Sequence, residues 1–143
     1  MKIVIQAMAN QLTEAEIKQH VPAEKLKAIQ GKKGVLKAYI MAQEGDSHPK
    51  EINSDDSITS VTLNWPKKII SKVHNAINEG SKFFINHGAT NSHEDRKPVG
   101  EIVGKFFKNI GDKLSNVVIG YFENPDEVAN MDVNSMEADI STV

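Results

Sequence analysis

Two residues in this chain could carry covalent chemistry if folding brought them together. His87 closes the apolar run "KFFINH" and is followed at once by Gly88, so a strand could hold the imidazole while the turn keeps its outer side open. Ser135 sits inside "DVNSMEADI", where strand alternation puts Ser135, Glu137 and Asp139 on one face and Asn134, Met136, Ala138 and Ile140 on the other. A serine hydroxyl is inert at neutral pH until a neighbouring base removes its proton, and an imidazole can be that base. The linear order does not set the distance between the two. Taken singly, each is ordinarily a hydrogen-bonded surface histidine and an inert strand serine. His87, His93 and Glu94 offer a different chemistry, metal ligation, but their spacing matches no zinc pattern and the residues between them have the make-up of a solvated polar loop.

Other motifs fail on spacing. "GEIVGK" has only three residues between Gly100 and Gly104, and Phe106 stands where a phosphate-binding loop needs a magnesium-binding Ser or Thr. Ser135 is flanked two positions away by Val133 and Glu137, too large for a nucleophile elbow of the α/β-hydrolase kind.

The elements that must position these residues are readable from periodicity. "MKIVIQAMA" alternates as a first strand, and Thr13 with Glu16 forms a capping box that predicts a short helix. Pro22 opens a second helical stretch, "PAEKLKAIQ", which Gly31 and Gly34 end, and "VLKAYIMAQEG" follows as a strand. Residues 45–59 are polar and predict a surface loop, the best internal boundary in the chain. "WPKKIISKVHNAINEG" predicts an amphipathic helix with Ile69, Val73 and Ile77 on its apolar face, Trp65 as an anchor and Gly80 as its end. Four strand-like runs then follow, "KFFINH", "PVGEIVGKFFK", "KLSNVVIGYF" and "DVNSMEADIST", with "NIGD" as a hairpin turn and "NPDEVANM" as a helical turn. The pattern predicts an α+β fold: a mainly antiparallel sheet or partly closed β-barrel core flanked by a few helices, with most of the sheet in the second half.

Composition narrows the function classes. The 143 residues suit one domain, and 39% hydrophobic with 25% charged residues at a net charge of -2 is ordinary for a globular chain. Arg96 is the only arginine among 17 basic residues, which argues against nucleic-acid recognition. The absence of cysteine removes disulfides, thiolate metal sites and a cysteine nucleophile. The opening apolar stretch is interrupted by Asn10 and Gln11, too soon for a membrane span or a secretory leader, and predicts a soluble protein.

The ordered set "NHG…RKPVGEIVGKFF…KLSNVVIGYFENPD…NSMEADI" resembles the prohead maturation proteases of tailed bacteriophages, serine proteases distantly related in fold to herpesvirus assemblin. In that family an apolar strand ends in a histidine, a short loop leads to a Pro-hydrophobic-Gly strand, a hairpin follows, and the nucleophilic serine comes at the start of a later strand. The matching positions are His87, "PVGEI" at 98–102 and Ser135, and the similarity extends over roughly residues 81–141, more weakly to "LKAYIMAQEG" and "WPKKII".

The resemblance implies a serine endopeptidase of capsid maturation, with Ser135 as nucleophile, His87 as general base, and no metal or organic cofactor. Its substrates would be phage scaffold proteins, capsid-protein extensions and the protease itself. It would act inside a prohead assembled in the host cytoplasm, without a nucleic-acid or membrane partner, and self-association stays open. The loop from Thr90 to Lys97 would rim the cleft. In such proteases the residue that orients the histidine commonly follows the nucleophile, as do the oxyanion donors, yet only residues 136–143 follow Ser135. The expectation is therefore a single domain over residues 1–143 truncated at its C-terminal end, with Glu137 and Asp139 as fallback orienters. A catalytically inactive virion structural or scaffolding module of the same fold is the alternative.

Overall fold

A computed structural model of the chain describes residues 2–9, 12–48, 50–80, 82–84, 98–128 and 133–139. The fold is α+β, and the sheet is antiparallel at every pairing described. In chain order the elements are β1 (Lys2–Ala9), α1 (Glu14–Gln19), α2 (Ala23–Ile29), β2 (Val35–Gln43), β3 (Gly45–Ser47), β4 (Lys50–Ile52), β5 (Ile58–Ser60), β6 (Leu63–Trp65), α3 (Lys67–Ala76), β7 (Lys82–Phe84), β8 (Pro98–Ile110), β9 (Lys113–Phe122), α4 (Pro125–Val128) and β10 (Val133–Asp139).

The trunk of the sheet is β2–β9–β8. Strands β8 and β9 form a long hairpin in which Ile110 pairs with Lys113 across Gly111 and Asp112. Gly111 takes a φ of 62°, while Asp112 is not among the positive-φ residues. That combination is a type II′ turn, whose twist matches the flanking strands and whose first central position favours glycine. Register slips at Ile102/Gly104 of β8 and Ile40/Ala42 of β2 add bulges that bend the trunk. From β2 the sheet reaches β1, and β1 forks it. Along its length β1 pairs with β10, while its other edge meets β2 at Met8 and Ala9 and β4 at Lys2 to Val4. The outer edge of β4 carries β5. Among the described residues the sheet stays open, with no closed barrel.

Alternation along β9 divides the core. Val118 and Phe122 join Tyr39, Met41, Ile77 and Ile102 on the face that α3 covers. Val117, Ile119 and Tyr121 join Ile17, Val21 and Val103 on the face that α1 and α2 cover. Two glycines permit this close layering. A Cβ on Gly100 would meet the Phe122 ring at 2.5 Å, and one on Gly104 would meet the His20 carbonyl oxygen at 2.5 Å, so β8 lies directly under the end of α1. The His20 ring then stacks on Phe106, with centroids 3.7 Å apart.

Three expectations need correction. Residues 45–59, expected as a loop, supply β3, β4 and most of a β4–β5 hairpin. Its turn is tied by Asn53 Nδ2 donating to the Ser57 carbonyl and to Thr59 Oγ1, and by Ser57 donating to Asp55; the β1 edge supplies the pairing that local sequence does not advertise. Those hydrogen bonds from the Ser57 hydroxyl and amide hold the Asp55 carboxyl below its ordinary pKa. Second, the sheet is divided more evenly than expected: β1 to β6 precede α3, and β7 to β10 hold only slightly more strand residues than they do. Third, the buried face of α3 is centred on Ile70, which is fully buried, while Ile69 and Val73 pack at its margin and Ile77 is buried as expected. The helix ends at Ala76 with Ile77 as its C-cap, before Gly80. Trp65 anchors it as expected, buried beside Ile70 and Ala42.

Candidate functional site

Ser135 lies in β10, opposite Gln6 of β1. The same register sets Glu137 opposite Val4 and Asp139 opposite Lys2. His87 lies outside the described residues, as do His93, Glu94 and the 90–97 loop. The strand that leads to His87 is β7, which pairs with β8 from Lys82 to Phe84 and slips register between Phe83 and Phe84. The path β10–β1–β2–β9–β8–β7 therefore has the serine strand at one end and the strand preceding the histidine at the other. Five steps at about 4.8 Å amount to roughly 24 Å measured along the sheet. A nucleophile and its base need about 3 Å, so strand pairing alone does not join them, and only curvature of the sheet beyond its pairing could.

Within the described side chains, a part-buried polar group lies under α3, and sequence reading passed it over. Asn116 is fully buried on β9, and its Nδ2 lies 2.7 Å from His74 Nδ1, an arrangement in which the amide donates to the ring nitrogen. The His74 ring stacks on Phe107, with centroids 4.0 Å apart. Lys105 Nζ donates to the His74 carbonyl at 2.7 Å, which the Ile77 amide also reaches, and to the Ile77 carbonyl at 2.8 Å, so a cation caps the helix end. Burial, and next the charge of Lys105, push the His74 pKa below its ordinary value, so the neutral ring is favoured. No serine or threonine hydroxyl is hydrogen-bonded to this histidine among the described residues. The adjacent Ser115 instead accepts a hydrogen bond from Gln43 Nε2 at 3.0 Å. Chemically, the group is a clasp holding α3 to the sheet rather than a nucleophile–base pair. A signal for it stood in the sequence: Ser115 and Asn116 interrupt an otherwise apolar strand, and buried polar residues require partners.

The opposite face holds a cavity of about 820 Å³ between α1, α2, β2 and β9. No group of three or more His, Asp or Glu side chains able to hold a metal ion occurs among the described residues, and no described helix is long and apolar enough to cross a membrane. Comparison with protein-family models, with curated proteins and with solved structures finds no match to this chain.

Proposed function

We propose that the protein is a serine endopeptidase of phage prohead maturation, in which Ser135 is the nucleophile and His87 the general base. The observation that supports this is the order of elements around the two residues. An edge strand, β7, leads toward His87, and β8 begins at Pro98 and pairs back onto it. A tight hairpin then returns as β9, and Ser135 falls early in the next strand, β10. This is the succession that the resemblance to prohead proteases implies.

The chemistry is acyl transfer. The Ser135 hydroxyl attacks a peptide carbonyl while His87 accepts its proton; the ester forms, and protonated His87 delivers the proton to the departing amine. Water then attacks the ester with His87 again as base, releasing Ser135. Glu137 and Asp139, on the same strand as the nucleophile, are the fallback carboxylates for orienting the imidazole. Scaffold proteins, capsid-protein extensions and the chain itself are the substrates, cleaved inside the prohead. Confinement there raises the effective concentration of substrate, so a modest enzyme suffices. The chemistry calls for no metal or organic cofactor.

A fluorophosphonate probe tests this reading. Wild-type protein is expected to take up one label on Ser135, and Ser135→Ala and His87→Ala are expected to take up none. Equal labelling of all three proteins would discard the assignment. A second reading, a non-catalytic virion module of the same fold, is favoured by the opposite positions of β7 and β10 along the sheet; it predicts unchanged particle assembly and cleavage patterns for Ser135→Ala.

A further inference from the structure

The cavity on the α1/α2 face exists because α2 is not pressed into the sheet. None of its seven residues is fully buried, its N-cap is Pro22 with no side-chain hydrogen bond, and Leu26 and Ile29 are left half-buried. Together with Leu12 and Leu36 they give the cavity an apolar wall, and its volume of about 820 Å³ falls within the range of ligand-binding clefts.

Two further observations qualify this space as a binding site. Tyr121 lines it and is only 5% exposed, and the Tyr121 hydroxyl is buried without a hydrogen-bond partner among the described residues. A buried donor is normally satisfied, so an acceptor supplied from outside would remove a standing cost. Gly34, also on the lining, is what admits the hydroxyl, because a Cβ there would collide with it. The other observation is charge. The stretch from Lys18 to Lys37 carries six lysines against one carboxylate, Glu24, in a chain whose net charge is -2. At the rim, Lys18 is paired with Glu14 at 3.0 Å, whereas Lys27 and Lys32 are exposed and hold no ion pair among the described residues.

We propose that this groove binds a short extended segment of a partner protein in which apolar side chains alternate with carboxylates. The apolar side chains pack on Leu26, Ile29 and Leu36, a backbone carbonyl of the segment accepts the Tyr121 hydroxyl proton, and the carboxylates meet Lys27 and Lys32. A peptide uses all three features at once. A fatty acid would lay methylenes against the unpaired hydroxyl, a flat bilayer would not reach into the cavity, and the groove has neither arginine forks nor stacking aromatics for nucleic acid. The inference is independent of Ser135 and His87.

Selection of a random-peptide display library on the intact protein tests it. Wild type is expected to enrich peptides that combine Leu, Ile, Val or Met with Asp and Glu. A synthetic copy of an enriched peptide, followed by fluorescence polarisation, is expected to bind Lys27→Glu/Lys32→Glu about tenfold or more weakly, with affinity falling as salt rises. Leu26→Trp, which fills the wall, is expected to weaken binding comparably. Tyr121→Phe should weaken it about threefold to tenfold while leaving the thermal midpoint of the free protein unchanged or raised, a pairing that a purely structural tyrosine would not give. Enrichment without acidic residues, no enrichment at all, or equal binding to wild type and to the exposed-lysine variant would each overturn the proposal. So would dodecanoate binding with the same residue dependence in the absence of any peptide ligand.

Discussion

The two faces of the β2–β9–β8 trunk are built from similar apolar strands but finished differently. On one, α3 inserts Ile70 and Ile77, hydrogen-bonds through His74 to a buried asparagine and has its last carbonyls capped by Lys105. On the other, α1 is seated through Ile17, but α2 rests with no fully buried residue beside an open cavity. A helix of seven residues has little helical stability of its own, so what holds α2 in place is contact, and few of its contacts are complete. The closed face is where the fold is fixed; the open face is where the molecule has surface to spare for a partner.

The largest test of that contrast compares core truncations across it. Ile70→Ala removes a fully buried side chain from the cluster with Trp65 and Ala42, and the expected loss is about 2–5 kcal/mol. Leu26→Ala, on the half-buried wall of the cavity, is expected to cost less than about 1 kcal/mol. Urea midpoints of the two variants check this, and equal losses would show that α2 is as tightly integrated as α3.

Much of this architecture was legible in the sequence because it depends on near neighbours. Thr13 does cap α1, its Oγ1 accepting from the Glu16 amide at 3.2 Å, and the Gly111-Asp112 turn closes its hairpin. The periodicity of α3 predicted the helix and placed Val73 and Ile77 on its buried face, but the fully buried residue is Ile70 rather than Ile69 because Ile70 is the one that meets Trp65 and Ala42. The β4–β5 hairpin was not legible, since its polar residues become strand only by adding to β1, which is distant in the chain. The same holds for Ser135. Its partner strand is β1, and no periodicity within "DVNSMEADI" announces a neighbour at Gln6. Partnership between distant strands is fixed by tertiary pairing, which is why the candidate nucleophile was readable as a residue and its surroundings were not.

The clasp on α3 can be loosened without opening the core. Lys105→Met keeps most of the apolar stem but removes the donor that serves the His74 and Ile77 carbonyls, both at the end of the helix. The expected loss is about 1–3 kcal/mol. Hydrogen exchange should localise it, with amides in the last turn of α3 exchanging faster while those of β8 and β9 keep their protection. Uniform acceleration throughout the sheet would mean that Lys105 supports the trunk itself.

The smallest effect is a pH dependence confined to the closed face. Burial and Lys105 lower the His74 pKa in the folded protein, so the unfolded chain binds a proton there more readily. The stability that the neutral ring contributes is present in full above the ordinary histidine value of about 6.5 and is lost as pH falls through it toward the lower folded value. Protonation at Nδ1 would also turn the contact with Asn116 Nδ2 into donor against donor, unless the amide rotates so that its unpartnered Oδ1 accepts instead. Urea midpoints between pH 7.5 and 5.5 are therefore expected to decline more steeply for wild type than for His74→Phe, which retains a ring against Phe107 but cannot titrate. Raising the salt concentration should shrink the difference only in part, because Lys105 is screened while burial is not. A wild-type slope equal to that of the variant would show that His74 is solvated in solution, and that Asn116 and Lys105 hold α3 without it.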